Sequence, residues 1–137
     1  MSNGLTYDDV AAIAESLPDV TVGLKWGRRT WMVAGKGFAW ERPMSKADVK
    51  RWGDAPLPSD PILGVRVDDL VEKEAVLAAN PKAFFTIEHF NGYPAFLIEL
   101  RKVTRAALRD ALVDGWLACA PAVLAREHAE RLIGRRR

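Results

Sequence analysis

The apolar positions near the start of the chain fall at Val10, Ile13, Ala14 and Leu17, the spacing of one helical face. They predict a helix over residues 6–17. Thr6 can cap it, Asp9 supplies an acid where the N-terminal dipole favours one, and Pro18-Asp19 ends it. The period then shortens to two. Val22, Leu24 and Trp26 alternate with Thr21, Gly23 and Lys25, as in a half-buried strand. Gly27-Arg28 reads as a turn, Thr30 to Ala34 as a second strand, Gly35-Lys36-Gly37 as another tight turn, and Phe38 to Arg42 as the return. Residues 21–42 are therefore predicted to form an antiparallel meander.

Beyond the meander, Ser45 caps a short helix predicted to run to Trp52, and Pro56, Pro58 and Pro61 argue for an irregular loop. Ile62 to Val67 is a fourth strand. Asp69 caps the next helix with Glu72 at the capping-box position, and Asn80-Pro81 ends it. Residues 83–90 and 93–100 read as two strands joined by Asn91-Gly92, a pair suited to the positive φ of a tight hairpin turn. Thr104 caps a helix that gathers Leu108, Ala111, Leu112 and Trp116 on one face, Pro121 can open a last helix, and Arg135-Arg136-Arg137 should fray. This order predicts one α+β domain over residues 1–137: a two-layer sandwich whose antiparallel sheet, a β-meander plus a β-hairpin, carries helices mainly on one face.

Composition narrows the functional classes. The 137 residues are 49% apolar and 28% charged, ordinary globular usage. No apolar run is long enough to span a bilayer, and the N-terminus lacks the basic start and apolar core of a signal peptide, so the expected setting is the cytoplasm, with no membrane partner. Cys119 is the single cysteine and cannot form an internal disulfide. It lies in an amphipathic helix, where a buried, inert thiol is expected. The two histidines and one cysteine supply no zinc cluster, and Asp8, Asp9, Glu15 and Asp19 are too few for a dedicated metal site. No metal or other cofactor is expected.

The net charge of +2 conceals a segregation. Residues 25–52 carry Lys25, Arg28, Arg29, Lys36, Arg42, Lys46, Lys50 and Arg51 against Glu41 and Asp48, a net of +6. Residues 1–24 and 53–80 each sum to −4, and residues 81–137 to +4. Basic turns on a meander can act as a wing that neutralises phosphates, which makes Lys25, Arg28, Arg29, Lys36 and Arg42 the candidate nucleic-acid contacts. The same lysines and arginines would equally serve a solvated sheet edge that discourages aggregation. Trp26, Trp31 and Trp40 are interleaved with them. Strand alternation assigns these to the core, although an indole left exposed could stack on an unpaired base.

Gly35-Lys36-Gly37 lacks the spacing and following hydroxyl of a phosphate-binding loop and precedes a strand, so it reads as a hairpin turn. His89 is the candidate ligand-binding side chain. In a strand it and Glu88 would face opposite ways and could not act as an acid–base pair. No catalytic residue emerges from these patterns.

The element order, with Val33-Ala34-Gly35-Lys36-Gly37-Phe38-Ala39 in the meander, Glu88-His89-Phe90 before Asn91-Gly92, and Asp114-Gly115-Trp116-Leu117-Ala118-Cys119-Ala120-Pro121, resembles the MmcQ/YjbR family from Val10 to Leu124. The resemblance implies a fold similar to frataxin (CyaY) and to type III secretion chaperones. It also implies a DNA-binding role through a double-wing arrangement of sheet loops. The expectation is a small, non-enzymatic bacterial binding protein, contacting DNA weakly and without sequence preference through its basic meander. The alternatives are a chaperone-like module that binds another protein, or a small-ligand protein or enzyme using His89 and Lys36.

Overall fold

The computed structural model describes residues 4–134, so the Arg135-Arg136-Arg137 end lies outside the described residues. The chain runs α1 (Tyr7–Ala14), β1 (Val20–Lys25), β2 (Arg28–Val33), β3 (Lys36–Glu41), α2 (Lys46–Trp52), β4 (Ile62–Arg66), α3 (Leu70–Ala79), β5 (Phe84–Phe85), a 3-10 turn (Glu88–Phe90), β6 (Ala95–Glu99), α4 (Arg105–Cys119) and α5 (Ala122–Gly134). Local chemistry sets these boundaries. Thr6 and Asp9 exchange two backbone hydrogen bonds at 2.7 and 3.3 Å, and Ser45 and Asp48 do the same at 2.9 and 3.1 Å; both are reciprocal caps. Asp69 and Thr104 cap α3 and α4 by accepting from Glu72 N and Ala107 N.

The six strands form one antiparallel sheet in the order β1-β2-β3-β4-β6-β5, the α+β architecture expected from the alternation of strand and helix periods. One face carries the main core. Trp31, Val33, Leu63, Val65, Phe96 and Ile98 meet Leu108, Leu112 and Trp116 of α4 and Val10 of α1 there. Gly115 lets α4 lie close on the sheet, since a Cβ would stand 3.1 Å from the Arg66 carbonyl oxygen and 3.2 Å from that of Phe38. The opposite face is covered only in part, where α2 and the 3-10 turn enclose Ile62, Ile87, Phe90, Ala95 and Leu97 with Trp40, Met44, Trp52 and Phe85.

Three local expectations are corrected. Asn91-Gly92 does not join two long strands: β5 is only Phe84–Phe85, paired with Leu97 and Ile98. The chain then leaves the sheet because Ile87 and Phe90, three apart, both bury on one side of a 3-10 turn closed by Phe90 N to Ile87 O at 2.9 Å. Asn91 sits at φ −60°, ψ 128° and Gly92 at φ +75°, with Tyr93 N donating to Phe90 O at 3.0 Å, which is a type II turn.

The meander turns also lie one residue earlier than expected. Lys25 pairs with Arg28 and Val33 with Lys36, leaving Trp26-Gly27 and Ala34-Gly35 as two-residue loops. All four of these residues have positive φ, the signature of type I′ turns. Trp26 is consequently at a hairpin tip and 99% exposed rather than in the core. Holding a bulky L-residue in that left-handed region costs about 1–2 kcal/mol. Trp31 is fully buried and Trp40 half-buried. Finally, β1 is an edge strand whose Val22 and Leu24 stay exposed, so its alternation marks no buried face.

Candidate nucleic-acid interface

The half of the second face that α2 leaves open forms a groove of about 920 Å³. Its floor holds Thr30 and Trp40, paired across β2 and β3, and Trp40 pairs in turn with Gly64 of β4. A Cβ on Gly64 would stand 2.6 Å from Trp40 Cε2, so the absence of a side chain there is what lets the indole lie across β4. One wall is the β1–β2 hairpin. Lys25 flanks the first turn and Gly35 lies in the second, at the other end of β2, yet Lys25 Nζ donates to Gly35 O at 3.1 Å. The hairpin therefore curls over the sheet, aided by the irregular register at Trp31/Met32. The opposite wall is His89, Phe90 and Tyr93.

That opposite wall is pinned from the main core. Lys73 of α3 is buried and its ammonium donates to Phe90 O at 2.6 Å and Tyr93 O at 2.9 Å. Burial lowers its pKa from the usual lysine value. Phe90 and Tyr93 meet edge to face at 5.4 Å.

Among the described residues the charges lining the groove are Lys25, Arg28, Lys36, Arg42 and Arg66, with no carboxylate. Arg42 is committed within the fold, bonded to Asp48 at 2.9 Å and Pro43 O at 2.7 Å, with its guanidinium 5.6 Å from the Phe90 ring. Burial pushes the Asp48 carboxyl up, but the Ser45 backbone amide, Arg42 and the Ser45 hydroxyl together outweigh it, and the net shift is downward. Lys25, Arg28, Lys36 and Arg66 form no salt bridge among the described residues. Arg66 stacks its guanidinium 5.4 Å from the Tyr93 ring, and its Nε is buried without a hydrogen-bond partner.

Of the residues singled out in the sequence, the structure gathers Lys25, Arg28, Lys36, Arg42 and His89 into this groove. Arg29 is not among them. Neighbouring residues in a strand point to opposite faces, and Arg29 lies on the helix side, bonded to Glu41 at 2.8 Å and 5.0 Å from the Trp31 ring. His89 and Lys36 line the same groove and both are exposed. Glu88 and His89 sit in the 3-10 turn, so strand alternation does not govern them. Arg66 and Tyr93 lie outside the basic segment of residues 25–52. The available signal was the β4 pattern itself, which places Arg66 opposite the buried Val65 and Val67.

Elsewhere, Cys119 is buried, and burial raises its thiol pKa. Asp9 is held by Thr6 and by Arg105 at 2.9 Å. No three metal-ligating side chains come together among the described residues. Among those residues no helix is long and apolar enough to cross a membrane.

The fold and groove define a small α+β protein with a six-stranded antiparallel sheet and a basic channel on its open face. The chain is 40% identical over 119 residues to Uncharacterized protein Rv2570 of Mycobacterium tuberculosis and to Uncharacterized protein Mb2600 of Mycobacterium bovis, covering 85% of this chain and 89% of each relative. It belongs to the family of these mycobacterial proteins. The crystal structure of Deinococcus radiodurans protein DR2400, a DUF419 domain, shares its fold at a TM-score of 0.62 and 18% identity, over 93% of this chain and 91% of that one. DUF419 is the MmcQ/YjbR family. No family model matches the chain.

Proposed function

We propose that this protein is a small, non-enzymatic, cytoplasmic binding protein of MmcQ/YjbR type whose groove takes the phosphate backbone of DNA. The observation that carries the reading is the charge of the groove: among the described residues five cations line one concavity and no carboxylate does. Four of those cations have no acidic partner among the described residues, an arrangement that favours a polyanion. The resemblance to a family described as DNA-binding and frataxin-like supports the same reading. Among the described residues none of the groove lining comes from an α-helix, so no recognition helix is offered to base edges and binding is weak and independent of sequence, on the order of 10⁻⁴ to 10⁻⁶ M at physiological salt.

A fluorescence-anisotropy titration of labelled DNA, single- and double-stranded, over a range of salt concentrations tests this. The reading predicts binding that weakens linearly in log salt. Absence of binding to either form at low salt would remove it. In that case the exposed β1 edge, with Val22 and Leu24 uncovered, favours the protein-binding alternative, in which a partner strand extends the sheet. The His89 and Lys36 alternative would instead require a small anion to bind the same groove.

A further inference from the structure

Trp26 has no structural reason to be tryptophan. It is 99% exposed, so it gains no burial, and it occupies the first central position of a type I′ turn at φ +56°, where Asn, Asp or Gly is unstrained. Strain of this kind, kept at a residue the fold does not use, points to function. Trp26 also stands at the rim of the basic groove, between Lys25 and Arg28 on the curled hairpin, with its indole free to solvent. The facing wall offers Tyr93, whose ring already stacks with the Arg66 guanidinium, and the floor offers the half-buried Trp40.

Cations and aromatic faces side by side in a concave channel match one form of nucleic acid better than the other. In a duplex the base faces are stacked inside and only base edges and phosphates are presented. An unpaired strand presents base faces and phosphates together, and stacking on an aromatic ring tolerates any base. We infer that the groove binds unpaired nucleic-acid strands in preference to duplex, with Trp26 as the stacking platform for a base and Lys25, Arg28, Lys36 and Arg66 as the phosphate contacts. This rests on the backbone-binding reading above and specifies the form of its ligand.

The test titrates the full chain into labelled oligo-dT, oligo-U and a DNA duplex, each of about twelve nucleotides, within the span of known single-strand sites. The variants are Trp26→Asn and Trp26→Phe. Asn suits the left-handed turn position, so this variant should melt no lower than the wild type. Trp26→Asn is expected to weaken single-strand binding roughly tenfold, the scale of one lost base stack, and to leave duplex binding unchanged. Trp26→Phe should keep most of the affinity. Tighter binding of either single strand than of the duplex supports the proposal, and the ratio of oligo-dT to oligo-U affinity identifies DNA or RNA as the source. Wild-type affinity in Trp26→Asn, or a duplex bound as tightly as the single strands, overturns it while leaving the backbone reading intact. No binding of any of the three at low salt removes both.

Discussion

Lys73 Nζ donates to the Phe90 carbonyl at 2.6 Å, so a helix that packs on the main core fixes the turn that walls the groove on the other face of the sheet. The same ammonium reaches Tyr93 O at 2.9 Å. Replacing Lys73 with Met keeps the aliphatic stem and removes both charged hydrogen bonds. The expected loss is about 2–3 kcal/mol of stability, the scale of bonds to an ionised donor. Hydrogen exchange over residues 88–93 should rise more than elsewhere. Unchanged exchange there would show that the wall holds without Lys73.

The groove floor depends on the close approach of Trp40 and Gly64. Since a Cβ at Gly64 would lie 2.6 Å from Trp40 Cε2, Gly64→Ala must displace the indole. Overpacking of this kind costs roughly 1–3 kcal/mol. Denaturant unfolding reads the cost, and a near-neutral result would mean the indole has room to move.

The turn at Asn91-Gly92 separates two conformations that share a sequence signature. In the observed type II turn only Gly92 needs positive φ. Gly92→Ala should therefore destabilise by about 1 kcal/mol, and Asn91→Ala should stay within about 0.5 kcal/mol of the wild type. Equal losses at both positions would indicate a type I′ turn instead.

Asp48 links the cap of α2 to Arg42 in the groove. Its folded pKa lies below the ordinary 3.8, so its contribution is fully present above pH 3.8 and is lost as pH falls through the lower, folded value. Asp48→Asn should cost about 1–3 kcal/mol at pH 7. The gap to the wild type should close as acid protonates Asp48. A constant gap across the acid range would assign the loss to packing rather than charge.

The sheet, its order of elements and four of the groove's five cations could be read from the sequence because they follow from local rules. Caps such as Thr6 with Asp9 act within one turn, and Lys25, Arg28, Lys36 and Arg42 belong to one meander. Arg29 belongs to the same basic segment, but alternation sends it to the other face beside Trp31. Arg66 was hidden because it sits in an acidic stretch and joins the groove only through the pairing of β3 with β4. The exposure of Trp26 depends on a turn register one residue from the expected one, and such a shift decides which residue caps the hairpin. The 3-10 turn replaced a strand because Ile87 and Phe90 gain more by burying together than by alternating, a long-range effect that no local pattern carries.

The central claim, that the open face of the sheet carries the phosphate contacts, is tested most directly by the salt dependence of DNA binding in two variants. In one, Lys25, Arg28 and Lys36 are changed together to Ala; in the other, only Arg29 is changed to Ala. The triple variant should flatten the slope of log affinity against log salt by about 0.9 for each lost contact on duplex DNA and about 0.7 on a single strand, while Arg29→Ala should keep the wild-type slope. A triple variant that superposes on the wild type, or an Arg29→Ala slope that falls as far as the triple variant's, would contradict the account.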